Sequence, residues 1–330
     1  MKTNLFTTIT IAAALALTSA CSKKPESGKD GAPQVLRVGF FPNITHAQGL
    51  VGYHETNTKG AEAWFEKRLG VKIEWYQFNA GPIAIESLLG DALDITYVGP
   101  NPALNGFTRS EGKDVRVLSG AARGGASLVI HKDSTFATPA DFKGKKLASP
   151  QLGGTQDIAV RAWLKAGGLN ITMTGGDAFV TPTQNPDQLD LFKKKELDGV
   201  WTVEPWVSRL ELEGNGKILV EQKEVLTTLL VASTKALQSK QELIKKFVAA
   251  HEELTKKIVA EPDFAKQAVG AALLKATTRP IPPALLEKAW PRLTFTTTIS
   301  VEDFAGIQRD AKSVGLLPKE ADLGNFFVKP

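Results

Sequence analysis

From Val35 onward, short β-branched runs alternate with amphipathic stretches. Val35-Leu36-Arg37-Val38-Gly39-Phe40 reads as a strand, followed by helical spacing over His46 to His54 and Ala61 to Leu69. Val71-Lys72-Ile73-Glu74-Trp75 alternates with period two and predicts a second strand. A helix over Pro82 to Leu89 opens on Gly81-Pro82, because proline lacks the N–H that a first helical turn leaves unpaired. Asp94 to Val98 predicts a strand, and Pro100 to Arg109 the next helix. Alternation at this spacing predicts a mostly parallel sheet covered on both faces.

The pattern changes at Val115. Two strand-like runs, Val115 to Leu118 and Ser127 to Ile130, flank the glycine-rich Gly120-Ala121-Ala122-Arg123-Gly124-Gly125. A second α/β series follows: strands over Lys146 to Ser149, Ala178 to Thr181 and Gly199 to Val203, with helices over Thr155 to Ala166, Pro186 to Lys195 and Pro205 to Glu211. Thr227 to Ser233 reads as an extended return, and everything after Ser239 as helical. Two α/β lobes joined by two crossings account for this order. The first takes residues 34–130 and 228–330, with the C-terminal helices packed back on it; the second takes 131–227. No repeat of solenoid length is present.

The first twenty residues carry a different pattern. Lys2 precedes an apolar run from Leu5 to Leu17, and Thr18-Ser19-Ala20 gives the small residues of a signal-peptidase site. The run is too short to cross a bilayer core of ~30 Å. Cys21, the sole cysteine, stands where lipidation would use it, so residues 1–20 read as a lipoprotein signal peptide. Residues 21–33 are polar and lack large apolar side chains, the composition of a flexible tether. The expectation is a protein outside the cytoplasm, in the periplasm or at the cell surface, held to the membrane by lipid on Cys21.

Composition changes this picture little. The chain is 42% hydrophobic and 23% charged, ordinary for globular lobes, and its net charge of +5 is dispersed. Runs such as Lys143-Gly144-Lys145-Lys146 and Lys193-Lys194-Lys195-Glu196 read as solvated faces, with no nucleic-acid partner expected.

Candidate chemistry comes from topology. In open α/β sheets, ligands bind beyond the carboxyl ends of the strands, where helices begin. The turns there are Pro42 to His46, Asn79 to Pro82, Gly99 to Asn101, Gly153 to Gln156 and Glu204 to Trp206. Glycine lets backbone approach a ligand, and a helix N-terminus offers free N–H groups with about half a positive charge. The candidate ligand-binding residues are therefore His46, Gly81, Pro82, Tyr97, Gly99, Asn101, Gly154, Thr155, Gln156, Glu204 and Trp206. His46 is read either as a donor to an anion or as a solvated cap. Tyr97 and Trp206 are offered as stacking surfaces, Trp201 as core, and His131 and His251 as structural. Glu204 either pairs with an amine of the ligand or caps its own helix.

Several segments carry a resemblance in order and spacing. They are Phe78-Asn79-Ala80-Gly81-Pro82 with Glu86-Ser87-Leu88, Leu93 to Gly99, Lys132-Asp133-Ser134, Pro139 to Ala148, and Leu197 to Trp201 with Glu204-Pro205-Trp206. From Leu36 to about Ser233 the chain resembles periplasmic substrate-binding proteins of ABC importers, in the aliphatic sulfonate, taurine and nitrate branch (NMT1-like). The resemblance implies the type II periplasmic binding protein fold: an α/β clamp of two lobes, each a mostly parallel sheet flanked by helices. It implies a monomer that closes on one small solute and delivers it to a permease and its ATPase, without cofactor, metal or catalysis. Gly153-Gly154-Thr155-Gln156 and Glu204-Pro205-Trp206 depart from the family's Gly-Ser-Thr-like and Asp-Pro-Tyr turns, which leaves the solute open. A sulfonate, taurine or nitrate is the first expectation. A neutral heterocycle such as a thiamine pyrimidine precursor, a tethered sensor and an enzyme on the same fold are the alternatives; for the last, no His-Glu-x-x-His, Gly-x-Ser-x-Gly or paired-cysteine pattern occurs.

Overall fold

The computed structural model of the chain describes residues 34–330. The signal-like segment, Cys21 and the tether lie outside the described residues. The chain begins with β1 (Val35–Phe40), α1 (Ala47–Lys59), α2 (Trp64–Leu69), β2 (Lys72–Gln77), α3 (Gly81–Leu89), β3 (Ile95–Val98) and α4 (Pro100–Arg109). It continues through β4 (Arg116–Gly124), β5 (Ala126–His131), β6 (Lys146–Ser149), α5 (Thr155–Ala166), β7 (Phe179–Pro182) and α6 (Asn185–Lys193). Next come β8 (Gly199–Val203), α7 (Trp206–Glu213), β9 (Gly216–Gln222) and β10 (Leu226–Ala232). The remainder holds α8 (Thr234–Ser239), α9 (Gln241–Ala260), α10 (Pro262–Thr277), α11 (Pro283–Ala289), β11 (Leu293–Phe295) and α12 (Asp303–Ser313).

Two sheets form, in the orders β11-β4-β10-β3-β1-β2 and β7-β6-β8-β5-β9. Each has a parallel part, β2-β1-β3 and β7-β6-β8. The rest is antiparallel: β10 runs against β3 and β4, and β5 against β8 and β9. The sheets are therefore mixed rather than mostly parallel. The physical reason is the double passage between lobes: a strand that enters or returns runs opposite to the βα units it joins.

The second sheet begins at Ala126, ahead of the expected boundary at 131. The chain passes over at Gly124 and Gly125, whose φ of 72° and 69° lie in the left-handed region open to glycine. The Gly124 N–H donates to the Val225 carbonyl at 2.9 Å, so the outgoing and returning crossings are tied together. A Cβ on Gly124 would stand 2.4 Å from the Arg292 carbonyl and 2.5 Å from that of Lys223.

Three further expectations change. The segment 120–124 is strand, because a bare Gly120 lets the backbone of Thr296 to Thr298 lie against β4. Strand β9 is added in the second lobe. The C-terminal third is not helical throughout, since Leu293 to Phe295 pairs with β4.

Packing follows the alternation. Leu36, Val38 and Phe40 of β1 are fully buried beneath α1 and α9, where Phe65 and Phe247 stack at 4.3 Å. Side chains of this kind each contribute about 1.5–3 kcal/mol on burial. On the opposite face, Val98, Ala84, Leu104 and Phe304 form a second cluster, which also takes in Ile158 and Ala162 of α5. One helix of the second lobe is thus docked on the first.

Candidate ligand-binding site

The carboxyl ends of β1, β2, β3 and β6 meet around a cavity of about 30 Å³, counted as the space open to the centre of a water molecule. The first lobe supplies Phe41, Asn43, Thr45 and His46 after β1, Asn79, Ala80 and Gly81 after β2, Gly99 and Pro102 after β3, and Thr227 of β10. The second supplies Pro150, Gln151, Gly154, Thr155 and Gln156 after β6, and Val203 at the end of β8. No Asp, Glu, Lys or Arg lines it.

Three helices begin at this wall: α3, α4 and α5. Their N-cap residues are Ala80, Gly99 and Gly154, all extended and none making a side-chain cap bond. Among the α-helices of the described residues only α8 makes a side-chain cap bond, from the Ala236 N–H to the Ser233 hydroxyl, so what sets α3, α4 and α5 apart is that their starts converge on one cavity. Such first turns leave N–H groups and the positive end of the macrodipole toward the cavity, although Pro82, Pro100 and Pro102 carry no N–H, so that Asn101 alone offers one among the first three residues of α4.

The side chains on the wall repeat that theme. His46 Nδ1, Gln151 Oε1 and Thr155 Oγ1 are buried without a hydrogen-bond partner. Leaving such a group unsatisfied costs about 1–3 kcal/mol each. Burial pushes the His46 imidazole down to about 3, so it is neutral at ordinary pH, with its ring against Phe41 at 4.3 Å between centroids. The turn that carries Thr155 is held from below. Asp157 accepts from Ser149 Oγ at 2.8 Å and the Gly153 N–H at 3.0 Å, and is neutralised by buried Arg161. That carboxylate faces the second lobe's interior, not the cavity.

A family model described as the NMT1-like family matches residues 29–273. The chain belongs to the NMT1-like family. The alkanesulfonate-binding protein SsuA from Xanthomonas axonopodis pv. citri, solved bound to MOPS, has the same fold with a TM-score of 0.72 and 20% identity, covering 91% of this chain and all of that one. The aliphatic sulphonate binding protein SsuA from Escherichia coli gives 0.63 and 22%, covering 85% of this chain and 91% of that one. A Bacillus subtilis protein named for binding aliphatic sulfonates is 25% identical over 219 residues, 64% of this chain. The match spans 60% of that relative's length.

In this NMT1-like chain the sequence-predicted residues divide. His46, Gly81, Gly99, Gly154, Thr155 and Gln156 converge on the cavity. Pro82 and Asn101 sit in the first turns of α3 and α4 but do not line it, and Asn101 Nδ2 is buried without a partner. Tyr97 is turned away: its hydroxyl lies 3.1 Å from His251 Nδ1, and His251 Nε2 lies 2.9 Å from the Gly120 carbonyl. Trp206 packs with Phe192 and Leu210 inside the second lobe.

Glu204 takes the second of its two expected roles, as a cap of its own helix. It has no exposure, and its carboxylate accepts from the Ser208 N–H at 3.0 Å, Ser208 Oγ at 2.9 Å and Arg292 Nη1 at 2.8 Å. Burial raises its pKa against the pull of Arg292 and Ser208. It caps its own helix and answers a cation of the first lobe, and it does not line the cavity.

Gln151 and Pro150 were missed, although they directly follow β6 and the strand-end rule reaches them. Thr227 lies on a crossing strand and carries no sequence signal. Among the described residues, no group of three or more His, Cys, Asp or Glu could hold a metal ion, and no helix is long and apolar enough to cross a membrane.

Proposed function

We propose that this chain is the solute-binding component of an ABC import system, and that it encloses one small anion between its lobes and delivers it to a permease. The observation that carries the reading is the wall itself: three helix N-termini without a side-chain cap, and the unpartnered His46 Nδ1 and Thr155 Oγ1, around a cavity without charged side chains. Helix termini and neutral donors bind anions without an opposing cation. The names of the relatives point to sulfonates as the solute class.

The same wall narrows the choice. A taurine amine would need a carboxylate, and Glu204, the one candidate, is engaged by Arg292 and Ser208. A sulfonate or nitrate is therefore preferred over a zwitterion. A neutral heterocycle is the second reading, favoured by the amide and imidazole groups of Asn43, Gln151 and His46. Lipid on Cys21 would keep such a receptor beside its transporter; radiolabelled fatty acid incorporated into the wild type and absent from Cys21→Ser tests the anchor.

Isothermal titration with methanesulfonate, nitrate, taurine and a hydroxymethylpyrimidine tests the solute. Binding of either anion with taurine weaker is expected. Binding of the pyrimidine alone would replace the anion reading with the heterocycle one, and no binding at millimolar concentration would refute both.

A further inference from the structure

The three glycines at these helix starts, Gly81, Gly99 and Gly154, are not equivalent. A Cβ on Gly81 would strike Pro102 of its own lobe at 2.4 Å, and one on Gly154 would meet the Gln151 carbonyl, also of its own lobe, at 3.0 Å. A Cβ on Gly99 would instead stand 2.3 Å from Thr155 Oγ1 and 3.3 Å from Thr155 Cβ, on the opposite lobe. Nothing in the backbone requires glycine there, since φ −70° and ψ 155° suit any residue. A Ser, Asp or Asn would cap α4 slightly better than glycine does. The absence of a side chain at 99 therefore serves the approach of the lobes and nothing within the first lobe.

That approach also sets the size of the cavity. With Gly99 and Thr155 in contact, about 30 Å³ is left for centres of water-sized groups. One water needs about 10–15 Å³ on this measure, so the room is that of about two or three waters. A nitrate or a methanesulfonate is of that bulk; a sulfonate carrying a ring is not. Thr155 Oγ1 and His46 Nδ1, from opposite lobes, are both at least nine-tenths buried and unpartnered on this wall.

We infer that the Gly99–Thr155 contact is a size filter: the clamp completes closure only over a compact oxyanion, and position 99 decides how large a solute is accepted. This rests on the solute-binding reading above. A bulky solute holds the two helix N-termini apart and forgoes part of their combined field, whereas a compact one receives donors from both lobes. A side chain at 99 imposes the same separation permanently.

The test is a ratio of affinities, measured by titration calorimetry with nitrate and methanesulfonate as compact probes and MOPS as the bulky one. Wild type is expected to prefer a compact probe by at least about tenfold, the scale on which pocket size discriminates. Gly99→Ala should bring the ratio close to one or reverse it, with the unliganded melting temperature and circular dichroism unchanged. Adding Thr155→Ala to Gly99→Ala removes the oxygen at 2.3 Å and should return the preference for compact probes, though not the full affinity. If Gly99→Ala does not fold, Thr155→Leu places the obstruction on the other lobe and reads the same ratio. Equal binding of MOPS and the compact probes by wild type would overturn the filter alone, as would an unchanged ratio in the obstructed variant. Failure of wild type to bind any of the three would overturn the anion reading and the filter together.

Discussion

Arg292→Met tests the most consequential charge in the molecule. Arg292 precedes β11 on the first lobe, yet its guanidinium reaches Glu204 Oε1 at 2.8 Å, Glu211 Oε2 at 2.8 Å and Glu221 Oε1 at 3.8 Å, all on the second. Glu204 has no exposure and Arg292 only 17%. Removing one partner of a buried pair costs about 3–5 kcal/mol, because the other charge is left without an answer. Glu204 keeps its two bonds from Ser208, which places the expected loss at the low end, about 3 kcal/mol.

The pH dependence gives this prediction a signature that mere loss of packing lacks. Without Arg292, the Glu204 carboxyl, already raised by burial, rises further. The folded state then keeps a proton that the unfolded chain releases near its ordinary value of about 4.3. Stability relative to wild type is therefore least affected below that pH and falls as pH rises through the window above it. Urea unfolding at pH 4.5 and 7.5 measures both arms. Arg292→Met/Glu204→Gln should recover about 1–2 kcal/mol of the loss at pH 7.5, since no buried charge remains. A deficit below about 1 kcal/mol, or one equal at both pH values, would show that the pair does not hold the lobes as argued.

Other expectations follow from single atoms. Thr155→Val replaces a buried, unpartnered hydroxyl with a methyl, so the unliganded protein should be as stable as wild type or more so, while solute affinity drops about tenfold; unchanged affinity would remove Thr155 from the site. Tyr97→Phe deletes the bond to His251 and should cost about 1 kcal/mol in urea unfolding without changing solute affinity, because Tyr97 is not on the wall. Burial holds His46 near 3 and His251 near 4, so as pH falls below about 6.5 the unfolded chain takes up protons first. Stability should then decline by about 1.4 kcal/mol per pH unit for each imidazole until the folded values are reached. A flat profile from pH 7 to 4.5 would contradict two buried neutral histidines.

The βα units were legible because the signals there are local. A short apolar run followed closely by Gly or Pro marks both a strand end and a helix start, and Lys146–Ser149, Thr155–Ala166 and Gly199–Val203 have the bounds expected of them. Strand β9 was not legible because it is half-buried along most of its length and shows no alternation. Glu204 sits at the expected strand end, but position does not fix where a side chain points. Its partner Arg292 lies 88 residues later in the chain, beyond any local pattern. Tyr97 failed because both faces of the sheet are covered: it packs with Ile95 in one cluster and Val98 in the other, and the wall begins only at Gly99. Successive strand residues point to opposite faces, and here either face leads into a core.

On the proposed solute-binding reading, an uncharged wall accounts for closure that depends on the solute. In the structure His46 Nδ1 of the first lobe and Thr155 Oγ1 of the second, the two wall atoms able to donate to an anion, are removed from water without partners. At about 1–3 kcal/mol each, the empty closed state is disfavoured by several kcal/mol relative to one in which water reaches these atoms. A solute that bonds them cancels the penalty only when both lobes contribute, so its affinity for the closed state exceeds that for the open one. That difference is what shifts a two-state equilibrium, and a factor of about 10⁴ is enough to move it from nearly all open to nearly all closed. Charged side chains on the wall would have bound an ion to one lobe alone, with less of the binding energy tied to closure. On that reading, neutral groups divided between the lobes would make capture and closure the same event.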